Sequence, residues 1–186
     1  MSLDYAILGF LNYQPMSGYD LKKAFDGSVR HFWYADQSQI YRTLNRLYKG
    51  KLVDRMVVEG GDHPDRKVYS ITEQGRQALR QWLLSEPEVD QPHSAPLIQV
   101  FFAGQFPDEV NLRIFQFADA MMQEMIERYE KIPESINTTY RKLCNSEREA
   151  YFWNTTLDLG MRVAKAQQEW ARDIIADLEN HRVPQK

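Results

Sequence analysis

Between Asp36 and Gln81 the sequence reads as helix, strand, turn, strand, helix, and that order leaves few folds open. The stretch DQSQIYRTLNRLYKGK carries Ile40, Leu44 and Leu47 at helical spacing, so one face of a helix is apolar. Arg42, Arg46, Lys49 and Lys51 occupy the rest of it, with no acidic residue after Asp36. LVDRMVV and KVYSI follow as two strands joined by GGDHPDR. Gly60 and Gly61 allow the positive dihedrals of a tight loop, and Pro64 keeps the tip out of a ladder. Thr72 then caps a further helix whose Ala78, Leu79, Trp82 and Leu83 face the core. A basic helix followed by a two-stranded ribbon with a charged tip is how a winged helix-turn-helix holds duplex DNA.

The residues before this stretch supply the other helices such a unit needs. Leu3 to Leu11 is a short apolar run, read as a first helix, and Asn12 to Pro15 is a turn. Ser17 and Asp20 fit a capping pattern that opens GYDLKKAFD, with Leu21, Ala24 and Phe25 inward and Gly27 and Ser28 ending it. Phe32, Trp33 and Tyr34 are expected to pack the core. Asp36 with Gln39 caps the basic helix, and Gly50 or Lys51 releases it. The polar arc opposite Ile40, Leu44 and Leu47 nominates Tyr41, Arg42, Asn45, Arg46 and Lys49 for groove and backbone contacts. Ser38 and Gln39 complete the set. Arg66 and Lys67, at the return of the ribbon, are placed to reach phosphate or a minor groove. Alone they read equally well as a solubilising turn, and the neighbouring basic helix favours DNA.

A net charge of -3 looks wrong for a nucleic-acid binder, but it is unevenly placed. Residues 1–86 hold 12 basic and 10 acidic side chains, a net of +2, and residues 87–186 hold 11 and 16, a net of -5. Affinity follows the local field at the contact face. A length of 186 residues allows one ordinary domain or two small ones, and the division is expected between 86 and 87. With 43% hydrophobic residues, ten Tyr, nine Phe and four Trp, a real core is expected. The single Cys144 excludes an internal disulfide framework and suits a reducing compartment. No stretch approaches a membrane span and no cationic leader precedes an apolar run, so a cytoplasmic, nucleoid-associated protein is expected.

No enzyme chemistry is legible. His31, His63, His93 and His181 fall in unrelated segments, and no metalloprotease, cysteine-pair, nucleophile-elbow or phosphate-cradling motif is present. His63 between Asp62 and Asp65 reads as a solvated turn rather than a metal site. Glu147, Glu149 and Asp158 are explained by capping and solvation of one helix. Neither metal nor cofactor is expected.

In residues 87–186, Pro87, Pro92 and Pro96, with Ser85, Gln91 and Ser94, mark a linker. PLIQVFFAGQF is read as a short helix ended by Gly104. Pro107, Asp108 and Glu109 open a long helix with Leu112, Phe115, Ala118, Met122, Met125, Ile126 and Tyr129 on its apolar side, kinked or interrupted at Pro133. Ser146 and Glu149 form a capping box for a final helix reaching about Leu178. Trp153, Leu157, Gly160, Val163, Ala164, Gln167, Trp170, Ile174 and Leu178 fall on or beside its apolar stripe. Such helices need each other and a second subunit to bury their surface.

The first part resembles the PadR family of bacterial transcriptional regulators. The resemblance rests on YAILGFL, SGYDLKKAF and SQIYRTLNRLYKGKLV, and on Pro64, Arg66, Lys67, Tyr69, Ile71, Thr72 and Gly75 in the wing. Ser17 stands where members usually have His. Arg42 stands where many have Pro, and Lys51 where many have Gly, a glycine that has moved to Gly50. Residues 87–186 resemble the C-terminal helical dimerisation domain of members related to virulence activators. The implied fold is mostly α with a small β-hairpin, an N-terminal winged helix-turn-helix and a C-terminal helical dimerisation domain. The implied function is sequence-specific binding of double-stranded operator DNA by a homodimer, as a repressor relieved by a small effector. Some members bind phenolic acids, and others bind flat hydrophobic drugs between dimer-related Trp residues. Phe102, Tyr151, Trp153 and Trp170 are the residues expected to line such a pocket if they are not simply packing. A winged-helix protein-interaction adaptor and an activator without an effector are the alternatives.

Overall fold

The computed structural model describes residues 2–59, 66–87, 94–135 and 146–184. Gly60, Gly61, Pro64, Gln91, Pro92, His93 and Cys144, and the Asp62–His63–Asp65 turn, lie outside the described residues. Internal contacts divide the chain into two compact units, Met1–Pro87 with Glu134–Phe152, and Glu88–Pro133 with Trp153–Lys186.

The first unit packs helices against a small antiparallel sheet. Helix α1 is Ser2–Tyr13, strand β1 Met16–Ser17, helix α2 Gly18–Gly27, helix α3 Gln37–Lys49, strands β2 Val53–Val58 and β3 Arg66–Ile71, and helix α4 Glu73–Leu84. The sheet order is β1-β3-β2, with Ser17 opposite Val68 and Val53 opposite Ile71. Ile7, Leu8, Leu21, Ile40, Leu44 and Tyr69 are almost wholly buried. The two-residue β1 was not legible in the sequence, being too short to show an alternation.

Two expectations for this core are corrected. Phe32 and Tyr34 are exposed, at 57% and 63%, and it is Ala35 that is buried. Tyr34 instead lies beneath the cations of Lys22 and Arg30, at 5.9 and 5.8 Å from its ring centroid, a contact an aromatic can make at a wet surface. On α4, Leu79 is buried and Trp82 stacks on Tyr5 with centroids 4.7 Å apart, but Leu83 is exposed. Leu83 lies at the end of the helix, beyond that stack.

Gly75 is fixed by packing. A β-carbon there would lie 2.1 Å from the Leu52 carbonyl oxygen, so only glycine lets α4 start against the α3–β2 connection. Thr72 anchors the same junction: its hydroxyl accepts from the Gly75 amide (3.1 Å) and donates to the Lys51 carbonyl (2.8 Å).

The second unit is helical. Ser94 caps helix α5, Ala95–Phe101, with Pro96 in its first turn. The helix ends at Phe101, and a 3-10 turn, Ala103–Gln105, contains Gly104. Helix α6, Asp108–Ser135, runs through Pro133, so that proline does not interrupt it. Helix α7 spans Glu147–Glu179, with the Ser146 hydroxyl accepting from the Glu149 amide at 3.3 Å.

The packed seam of α7 is Leu157, Met161, Ala164, Gln168, Ala171, Ile175 and Leu178, alternately four and three residues apart, the repeat of a helix wound on another. One cluster joins Leu157 and Ala164 to Ile126 and Tyr129, and another joins Ala171 and Leu178 to Phe115. Between them the buried Gln168 donates to Gln123 on α6 at 2.9 Å. Val163, Gln167 and Trp170, expected on or beside the stripe, are exposed, because a seam of 3.5-residue period is narrower than the broad amphipathic face read from the sequence.

Candidate nucleic-acid interface

Helix α3 begins with a reciprocal cap. The Asp36 carboxylate accepts from the Gln39 amide at 2.8 Å, and the Gln39 side-chain oxygen accepts from the Asp36 amide at 2.9 Å. Ile40, Thr43, Leu44 and Leu47 then turn inward. Burying that face leaves Ser38, Gln39, Tyr41, Arg42, Asn45, Arg46 and Lys49 on the solvent side, all of them exposed. The Arg42 Nε donates to the Ser38 carbonyl at 3.4 Å, which lays its stem along the helix.

The helix ends in a paired-carbonyl motif. The Leu52 amide donates to the Leu47 carbonyl at 3.0 Å and the Lys51 amide to the Tyr48 carbonyl at 3.1 Å. The residue between helix and strand that takes the left-handed conformation is Lys51, with φ 58°, while Gly50 has φ -77°. The glycine at 50 has therefore not moved to fill that role; Lys51 holds the strained position itself. Arg55 of β2 lies 4.5 Å from the Tyr48 ring centroid and joins the base of the wing to this helix end.

Tyr41 lies over the start of α2. A β-carbon on Gly18 would come within 2.5 Å of its ring. The residue after that glycine, Tyr19, is 67% exposed. Neither feature shows in the sequence, because α2 and α3 must first be crossed.

Two of the nominated arginines carry acid partners. Arg46 pairs with Asp4 of α1, and Arg66 pairs with Asp20 of α2 and reaches the Ser17 hydroxyl at 3.3 Å. The sheet register explains the second pair. Ser17 opposes Val68, and the chain turns into α2 just beyond it, at the level of Arg66. Asp20 also accepts from the Ser17 amide (3.0 Å) and hydroxyl (2.8 Å). Burial pushes the Asp20 carboxyl up, but the Ser17 bonds and the Arg66 guanidinium outweigh it and hold the pKa below its ordinary 3.8. Lys67 is adjacent on β3, so its side chain leaves the opposite face of the ribbon. It forms no ion pair among the described residues.

The four aromatic candidates differ in their surroundings. Phe102 and Tyr151 are exposed, each edge-on to a neighbour, Phe101 and Phe152. Trp153 is half-buried, and Trp170 is edge-on to Phe115 at 5.4 Å. Trp153 and Trp170 are separated along one helix by about 25 Å, given a rise of about 1.5 Å per residue. A hollow of about 500 Å³ in the second unit is lined by Asp108, Glu109, Leu112, Leu178, Glu179 and His181, and by none of the four. Among the described residues there is no group of three or more His, Cys, Asp or Glu side chains able to hold a metal ion, and no helix long and apolar enough to cross a membrane.

Two family descriptions match this chain: the transcriptional regulator PadR-like family over residues 7–81, and the virulence activator alpha C-terminal family over residues 94–179. A probable transcriptional regulator of Mycobacterium tuberculosis is 42% identical over 87 residues, covering 47% of this chain and 46% of that protein, about half of its length. The negative transcriptional regulator PadR of Bacillus subtilis is 25% identical over 95% of this chain and 97% of its own. The crystal structure of that protein in complex with operator DNA superposes with a TM-score of 0.79, at 22% identity over 94% of this chain and 97% of the other. A crystal structure of the same protein in complex with p-coumaric acid gives 0.73, at 22% identity over 95% of each chain. Residues 7–81 thus match the PadR-like family of transcriptional regulators and residues 94–179 the virulence activator alpha C-terminal family, the two matches together spanning most of the chain.

Proposed function

We propose that residues 1–86 bind operator DNA through the solvent face of α3, and that residues 87–186 pair two copies of the chain. The observation that carries this is the face itself: Tyr41, Arg42, Asn45, Arg46 and Lys49, with Ser38 and Gln39 at its start, are all exposed along a helix whose other side is buried. Tyr41 and Asn45 would meet base edges, and Arg42, Arg46 and Lys49 the backbone. Arg66 and Lys67 would meet sugar and phosphate, which positions the protein without carrying sequence information.

A second copy is supported by the apolar surface that the helical unit leaves uncovered. Phe101, Ile98, Leu97, Phe106 and Phe117 are each more than half exposed, and so is Leu159. A two-fold dimer would cover such surface and present two α3 helices to half-sites one turn apart, about 34–36 Å. The negative regulator of B. subtilis supports repression, and its complex with p-coumaric acid supports relief by a small aromatic effector meeting Phe102, Tyr151, Trp153 or Trp170. The effector acts to the extent that it prefers the chain in its non-binding arrangement. A cytoplasmic, nucleoid-associated location goes with this reading.

Footprinting across the gene's own upstream region, with salt varied, tests it. Two protected half-sites one helical turn apart are expected. Uniform protection without half-sites, or none at low salt, would contradict it. Sedimentation of the intact chain at micromolar concentration checks the pairing: a monomer that binds one half-site with full affinity would remove the dimer.

A further inference from the structure

We propose that Asp4 and Asp20 hold down the chain's affinity for sequence-neutral DNA, each by occupying the guanidinium of an arginine on the DNA-facing surface. The inference rests on the reading that α3 and β3 meet DNA, and adds residues that reading does not use. Asp4 lies on α1 and Asp20 on α2, while their partners Arg46 and Arg66 lie on α3 and β3. The arginine side chains are half exposed, at 50% and 56%, whereas that of Asp4 is 14% exposed. The acids are the fixed members. Asp20 is bound by the Ser17 amide and hydroxyl and cannot follow its arginine outward.

A phosphate approaching either arginine meets a carboxylate at nearly the same distance, so attraction and repulsion largely cancel. Random duplex is held essentially through its phosphates, and against it these two cations count for little. Lys49 and Arg42, with no acid partner among the described residues, keep their full charge.

The test uses the intact chain, a random-sequence duplex, and salt from about 50 to 200 mM, where phosphate contacts are strongly salt-dependent. Asp4→Asn and Asp20→Asn remove the charge, and the second keeps a side-chain oxygen for the Ser17 amide. Each variant should bind about fivefold tighter at the low-salt end, with a log–log slope steeper by up to about 0.9. The gain should vanish when the matching arginine is also replaced, in Asp4→Asn/Arg46→Gln and Asp20→Asn/Arg66→Gln. Damage to the fold cannot imitate tighter binding. Unchanged or weaker binding in both acid variants overturns the proposal, since a carboxylate that oriented its arginine toward phosphate would give that sign. A gain that persists without the arginine overturns it too. If the wild-type chain bound neither operator nor random duplex, the DNA reading would fall along with it. If it bound operator and the acid variants changed nothing, only this inference would fall.

Discussion

Gly18 and Tyr41 are in contact across the helix pair: a β-carbon on the glycine would lie 2.5 Å from the tyrosine Cε1 and 2.6 Å from Cζ. The tyrosine is partly exposed, at 36%, so its ring can swing away where a backbone could not. Gly18→Ala should therefore leave the fold standing and move Tyr41 off the start of α2. We expect thermal stability to change by less than about 1 kcal/mol and operator affinity to fall about tenfold, the worth of one hydrogen bond to the DNA. Anisotropy titration beside a melting curve separates the two effects. Full operator affinity in the variant would mean that Tyr41 makes no contact that depends on this position.

The left-handed turn at Lys51 makes a stability prediction. A side chain at φ 58° costs about 1–2 kcal/mol relative to glycine, part of which returns through the greater freedom of an unfolded glycine. Lys51→Gly should raise stability by up to about 1 kcal/mol in urea unfolding. Gly50→Ala, at φ -77° and with its nearest new contact at 3.4 Å, should be tolerated. Destabilisation by Lys51→Gly larger than that from Gly50→Ala would show that the lysine side chain contributes more than its strain removes.

Acid titration follows from Asp20. Its folded pKa lies below the ordinary 3.8, so its contribution is fully present above that value and is lost as pH falls through the folded pKa. The stability difference between wild type and Asp20→Asn should be flat from about pH 5 to 8 and should shrink below about pH 4. A difference that changed between pH 5 and 8 would place the titrating group elsewhere.

The part of this interface that was legible in the sequence is the part built from near neighbours. Asp36 and Gln39 are three residues apart, and Ile40, Leu44 and Leu47 repeat within two turns, so the cap, the buried side and the cationic side of α3 follow from spacing alone. Ser17 with Asp20 was legible as a cap for the same reason. What no local pattern carries is a pairing set by topology. Asp4 meets Arg46 across 42 residues and Asp20 meets Arg66 across 46, and both follow from how α1, α2 and the sheet are stacked. Gln168 and Gln167 differ in the same way. A polar residue is inside or outside according to where α6 touches, and only Gln168 finds Gln123. The exposed Phe32 and Tyr34 show the converse, aromatics held at the surface by His31 and by cations instead of by a core.

The central claim is that the solvent face of α3 supplies the charge that holds DNA, and Arg42 and Lys49 test it most directly. Both are exposed, on the side of the helix opposite Leu44 and Leu47, where truncation removes no packing. The measurement is the salt dependence of operator affinity for wild type, Arg42→Ala, Lys49→Ala and the double variant, with circular dichroism and sedimentation showing fold and assembly unchanged. Each substitution should lower the log–log slope by about 0.9 for every phosphate no longer neutralised in a half-site, and the double variant by about twice that. Slopes and affinities equal to wild type in all three variants would contradict the account.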